Sequence, residues 1–333
     1  MILAERLKKG ETIAFFSPSS PITANAPKRF QRAKDFISGN GFHLFEGNLT
    51  GKTDFYRSGS IRQRADEINS LIENPDIKCI ISTIGGMNSN SLLPYINYKQ
   101  LEKTPKIIIG YSDMTAILLG IYAKIGLITY YGPAFVATFG EFPPYQNLSF
   151  DFFSDILIKQ IKPPFILPTP SFWTDEFISW EEQDRSKTQI HNNLITINPG
   201  VAKGRIIGGN LNTMQGFWGS QYFPEIQEGD ILFIEDSLKN IAEVERSFSL
   251  LKTNNVFSKV SGIILGKHEL FKDLGTGRKP YEVLLEVIGE PNFPILAEFD
   301  CSHTHPMLTL PIGINIELDA TNQKVTLLEE WIQ

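Results

Sequence analysis

Lys106–Lys124 reads KIIIGYSDMTAILLGIYAK, and its two halves follow different periods. Ile107, Ile108 and Ile109 form a β-branched run of the kind found in a strand buried on both faces, whereas Met114–Ala123 takes up helical spacing. A buried strand running straight into a helix is the repeating unit of an α/β sheet. Between the halves lies Gly110-Tyr111-Ser112-Asp113. A sharp strand-to-helix turn can hold a hydroxyl above the sheet edge with the helix amides aimed at the same point, which makes Ser112 a candidate nucleophile. Serine before an acidic residue is also a good helix N-cap, and that reading competes. Met114 stands where the second glycine of a G-x-S-x-G elbow would be, so the turn alone does not decide.

The rest of the chain sets the frame. At 333 residues it is long for one domain, and two compact units are expected. A net charge of −6, with no strongly basic stretch, argues against a nucleic-acid groove. Cys79 and Cys301 both sit in apolar contexts, as in a reducing compartment and not a disulfide scaffold. The N-terminal stretch has no apolar core with a small-residue cleavage site, and no apolar run reaches membrane-spanning length. A soluble cytoplasmic protein is expected.

Towards the N-terminus, a strand at Thr12–Phe16 stops at Ser17-Pro18-Ser19-Ser20-Pro21, followed by a helix over Pro27–Asn40 and a strand at Phe42–Glu46. Ile61–Glu73 reads as a helix, Cys79–Thr83 as a strand and Leu92–Leu101 as a helix leading to the isoleucine strand. Gly85-Gly86 follows the Cys79 strand, and glycine lets a backbone amide approach a developing negative charge. Parallel strands bring their ends to one crevice, so the amides of Gly86 and Asp113 become candidate oxyanion donors around Ser112. Residues 1–145 are thus expected to form an open, mostly parallel α/β domain of Rossmann or flavodoxin type.

Prolines and aromatics then take over. Phe172, Trp173, Phe177 and Trp180 mark residues 146–200 as a linker and aromatic loop, suited either to stacking on a planar ligand or to packing domains together. Residues 201–333 are expected to form a second α/β domain with a mixed sheet, the active site lying between the two. Strands are expected at Ile195–Pro199 and Gly204–Ile207, with Gly208-Gly209 a turn ahead of a helix start. Asn212 in that turn is a candidate for substrate binding. Glu235 ends the apolar strand Ile231–Ile234, where catalytic groups usually sit, and Asp236 or Ser237 is the expected cap of a helix over Leu238–Thr253. Further strands are read at Val260–Leu265, Phe293–Ala297, Thr309–Ile316 and Lys324–Leu328. His303 and His305 invite a zinc reading, but no third ligand stands at a familiar spacing, so no metal and no cofactor is expected. Ser112, Glu235 and a histidine occur in the order serine, acid, histidine, one convergent solution to nucleophilic catalysis.

Five motifs, GYSDMTA, IGGMNSN, GRIIGGNL, LFIEDS and SHTHPMLTLPIG, together resemble the serine peptidases comprising murein LD-carboxypeptidases and microcin C immunity proteins. The resemblance spans Lys9 to Leu318 and implies a two-domain cytoplasmic hydrolase, commonly a homodimer, acting on a small molecule without a metal. It places the nucleophile on Ser112, the acid on Glu235, the base on His303 with His305 as its rival, and the oxyanion donors on the amides of Gly86 and Asp113. The immunity branch, which cleaves the amide joining an acidic amino acid to a sulfamoyl or phosphoramidate adenylate, is the closer one. It implies a tryptophan stacked on the nucleobase, at Trp180 or Trp173, and a ligand-holding lysine at Lys239. Ile84 stands where the murein branch carries an arginine ahead of the paired glycines. The same crevice also suits a non-catalytic nucleotide- or peptide-binding protein.

Overall fold

Every residue of Ile107–Gly110 is buried in the computed structural model, which describes all 333 residues. A strand with no polar face needs a central place in a sheet, and this one has it. The sheet contains β1 (Thr12–Phe16), β2 (His43–Glu46), β3 (Ile77–Ser82), β4 (Ile107–Gly110) and β5 (Thr129–Tyr131), all parallel in the order β2-β1-β3-β4-β5. The order reverses between β1 and β3, which opens a crevice beyond their carboxyl ends.

The connecting region contributes β6 (Phe165–Ile166) and a hairpin of β7 (Phe172–Trp173) with β8 (Ile190–His191). After it come β9 (Ile195–Asn198), β10 (Val201–Asn210), β11 (Ile231–Ser237), β12 (Gly262–Glu269) and β13 (Ile295–Phe299). The last strands are β14 (Leu310–Ile312), β15 (Asn315–Asp319) and β16 (Lys324–Leu327). The second sheet runs β6-β16-β15-β10-β11-β12-β13-β9. Its centre, β10 to β13, is parallel and its flanking pairings are antiparallel, so the sheet is mixed.

Several elements depart from the sequence reading for identifiable reasons. The helix expected over Leu92–Leu101 is a 3₁₀ turn, Ser89–Tyr95, and a short helix, Tyr98–Lys103; Pro94 has no amide to continue the first. Gly208-Gly209 is not a turn but the end of β10, where a side chain at Gly208 would meet the Phe233 carbonyl at 1.8 Å. The helix after β11 begins at Ile241, capped by Asn240 in a reciprocal pair with Glu243, so neither Asp236 nor Ser237 is its cap. The strand expected over Thr309–Ile316 splits at Gly313 (φ +100°) into β14 and β15, which enter different sheets.

That split ties the two halves together. β14 pairs antiparallel with β5 and closes the edge of the first sheet. Trp331 follows it inward: it is fully buried, its indole donates to the Ile156 carbonyl at 2.7 Å, and its own carbonyl accepts the Tyr130 hydroxyl at 2.8 Å. One continuous apolar core runs through both sheets and includes this tryptophan. No helix is long and apolar enough to cross a membrane. Trp331→Ala is expected to cost about 3–5 kcal/mol of stability, read as a lowered urea midpoint; an unchanged midpoint would mean that the terminus does not lock the sheet.

Candidate active site

The turn after β4 is strained where chemistry needs it. Ser112 has φ +61°, a conformation that costs a non-glycine residue about 1–3 kcal/mol. Its hydroxyl makes no hydrogen bond within the chain and caps no helix, which removes the competing reading of this serine. Its amide donates to the Tyr131 hydroxyl at 3.1 Å. The side chain lines a cavity of about 360 Å³ onto which the carboxyl ends of both parallel strand sets open.

Beside it, the loop after β3 is shaped by two polar anchors. Ser19 Oγ accepts the amides of Met87 and Asn88 at 3.0 and 3.2 Å. The Asp113 carboxylate accepts those of Asn88 and Ser89, both at 2.9 Å. Asp113 thus clamps the glycine loop to the Ser112 turn with its side chain, a role its sequence position did not signal. The amides of Gly86 and Asp113 find no acceptor in the chain. Gly85 must stay bare: a Cβ there would fall 2.8 Å from Ser112 Cβ and 2.9 Å from both Ser112 Oγ and the Asp113 nitrogen.

Glu235 lies within β11, fully buried. One carboxylate oxygen accepts the Tyr131 hydroxyl at 2.6 Å and the Asn210 amide group at 2.9 Å; the other lies 2.7 Å from His303 Nδ1. Burial alone would push this carboxyl up, yet the His303 charge and these hydrogen bonds outweigh it and hold the pKa below the usual value. Burial likewise pulls the His303 imidazole towards its neutral form, but the Glu235 carboxylate, with Glu269 and Asp236 beyond it, raises the pKa above 6.5. The ring packs edge-on against Tyr111, 4.8 Å between centres. His303 and Ser112 line the same cavity without a hydrogen bond between them, and in ligand-free sites such contacts are often long until substrate binds. His305 does not share Glu235: its backbone is paired with Thr174, and it lines the cavity with Nδ1 unpartnered.

Trp180, Asn212 and Lys239 line the cavity as well. Lys239 Nζ sits 3.9 Å from Asp236, whose carboxyl is pushed to about 6 by burial and then by Glu235. Trp173 is placed elsewhere, with its ring 5.5 Å from Lys267 Nζ and outside the cavity wall. Tyr131 and Asn210 were not singled out from sequence. Asn210, at the end of GRIIGGN and two residues before Asn212, carried the only available signal.

A buried carboxylate–histidine pair sharing a cavity with a strained serine and two unpaired amides is the equipment of a serine hydrolase, and comparison with known proteins narrows the class. Residues 13–132 match the LD-carboxypeptidase N-terminal domain and residues 203–318 the LD-carboxypeptidase C-terminal domain. The chain belongs to this family of serine peptidases. It is 56% identical over 333 residues to a Vibrio cholerae protein named as a carboxypeptidase, covering 100% of this chain and 99% of that one. It is 54% identical to the microcin C7 self-immunity protein MccF of Escherichia coli, over 99% of this chain and 97% of the relative. Solved structures of MccF in complex with aspartyl sulfamoyl adenosine and with glutamyl sulfamoyl guanosine each superpose with a TM-score of 0.97 at 54% identity, covering 100% of both chains.

Gly85→Ala is expected to lower kcat/KM by about 100-fold or more while the protein still unfolds cooperatively, because the new methyl crowds the nucleophile and an oxyanion amide. Wild-type rates in that variant would place the reaction centre elsewhere.

Proposed function

We propose that the protein hydrolyses the amide bond between an acidic amino acid and a sulfamoyl or phosphoramidate nucleotide, in the manner of microcin C self-immunity. The observation that carries the reading is the hydrogen-bonded Glu235–His303 pair opening on the same cavity as the strained Ser112 hydroxyl. His303 takes the Ser112 proton as the hydroxyl attacks the scissile carbonyl. The amides of Gly86 and Asp113 receive the oxyanion, and His303 then protonates the departing nitrogen. Water repeats the cycle on the acyl-enzyme and frees the amino acid. Trp180 offers a face for the nucleobase, while Asn212 and Lys239 hold the polar part of the ligand. The resemblance of the cavity-bearing fold to MccF, whose structures hold aspartyl sulfamoyl adenosine and glutamyl sulfamoyl guanosine, supports this substrate class.

The family name also covers removal of a terminal D-alanine from murein tetrapeptide, so both substrates are offered to the wild type and to Ser112→Ala, with products followed by mass spectrometry. Free aspartate and sulfamoyl adenosine from the wild type, with turnover down by several orders of magnitude in Ser112→Ala, is the expected result. D-Alanine release instead would move the activity to cell-wall peptides.

The pH profile carries a second test. The base works only when neutral, and its pKa is raised, so kcat/KM should fall as pH drops through an ionisation above 6.5. Glu235→Gln removes the charge that holds the proton; its acid limb should move to lower pH and kcat should fall by roughly 10⁴. An unmoved limb would separate Glu235 from the titrating base.

A further inference from the structure

Buried charge fastens the aromatic segment between β7 and β8 to the first domain. The Glu181 carboxylate accepts the amides of Lys28 and Arg29 at 3.0 and 3.4 Å, at the start of the helix Pro27–Gly39. Arg29 donates to the carbonyls of Val136 and Ala137 at 3.2 and 2.6 Å, and to Gln183 and Glu141 at 2.9 Å each. Its guanidinium also lies over the Trp180 ring, 4.3 Å from its centre.

Lys187 reaches the same Glu141 oxygen at 3.2 Å. The side chains of Arg29 and Glu141 are 0% exposed and that of Lys187 is 6% exposed. Burial works against the Glu141 charge, but Arg29 first and Lys187 beside it hold its pKa below the usual carboxylate range, so it is ionised. Two cations therefore share one carboxylate, which leaves one positive charge out of water without a counter-charge. Neighbouring acids do not supply it. Glu176 is taken up by Arg185 and the Thr188 amide and Glu181 by the helix amides, while Glu269 feels the Lys187 charge from beyond ion-pair distance and burial pushes its carboxyl up, towards the neutral form.

This uncompensated end faces the cavity, where Lys187 stands with His305. His305 is 6% exposed, and its Nδ1 is buried with no hydrogen-bond partner. Burial, helped by the Lys187 charge, pushes its pKa down to about 3, so the ring is neutral. An orphaned lone pair costs less than an orphaned N–H, so the proton belongs on Nε2, the nitrogen left to meet a ligand. A neutral donor and an ammonium side by side, backed by surplus positive charge, form a receptor for an anion.

We infer that Lys187 and His305 form a subsite for an anionic oxygen of the substrate, either the side-chain carboxylate of the acyl group or a phosphoryl or sulfamoyl oxygen of the leaving group. The inference rests on the substrate class proposed above and assigns to it residues outside the acid, base and nucleophile. It also gives the aromatic segment a second task, since the strap that presents Trp180 carries the anion receptor seven residues on.

Binding in a Ser112→Ala background tests this without turnover. Calorimetry gives dissociation constants for aspartyl and asparaginyl sulfamoyl adenosine, and for AMP and adenosine, with and without Lys187→Met. If the anion is the acyl side chain, Lys187→Met reduces the preference for aspartyl over asparaginyl by about tenfold or more, and Lys187→Arg restores most of it. If the anion is on the nucleotide, the preference for AMP over adenosine collapses instead. Equal weakening of all four ligands, as a merely loosened strap would give, overturns the assignment. His305→Phe leaves the buried ion pairs in place and must move the same ratio, and it decides the matter where Lys187→Met fails to fold. Failure of the wild type to hydrolyse aspartyl sulfamoyl adenosine would count against the proposed reaction, while the binding ratios would still judge the subsite.

Discussion

A carboxylate sealed from water must be ringed by donors or give up its charge. Glu235 keeps its charge with Tyr131 and Asn210 on one oxygen and His303 on the other. These donors come from separate parts of the chain: Tyr131 ends β5 of the first sheet, Asn210 ends β10 of the second, and His303 follows β13. Satisfying one anion therefore fixes the two sheets against each other. Tyr131 passes the constraint on. Its phenol, kept protonated far above its usual range by burial and the Glu235 charge, donates to the carboxylate, and its oxygen receives the Ser112 amide. Glu235 thereby positions the backbone of Ser112 as well as the His303 ring.

Much of this was legible because the deciding signals are local. Ile107–Ile109 could only be a buried strand, and Ser112 and Glu235 each sat beside the end of such a run, where α/β sheets keep their functional groups. What separated His303 from His305 was the partner of each ring, which spacing cannot give. His303 finds Glu235, 68 residues away in the chain, whereas His305 is held by its backbone against Thr174.

The remainder depended on contacts between distant segments. Tyr131 reads as one more aromatic at a strand end, and only the approach of β11 turns its hydroxyl into a link. Sequence favoured Trp180 over Trp173 without a contact to decide between them; in the fold Trp180 lines the cavity with Arg29 on its ring, and Trp173 lies against Lys267 away from it. The Gly208-Gly209 pair looked like a turn because its glycines serve a close strand approach that propensity does not encode.

The position of β14 bears on how the protein is made. Ser112 and the free amides of Gly86 and Asp113 belong to the first sheet's loops, but the strand that covers the edge of that sheet comes only at Leu310–Ile312, and the tryptophan that seals the same region at Trp331. A nascent first domain leaves the ribosome with β5 uncovered, an open edge of the kind that recruits other chains. Its proper partner is translated much later than β5 itself. The polypeptide thus gains its covered sheet edge and its Glu235–His303 pair close together in synthesis, and a product that stops before His303 has neither.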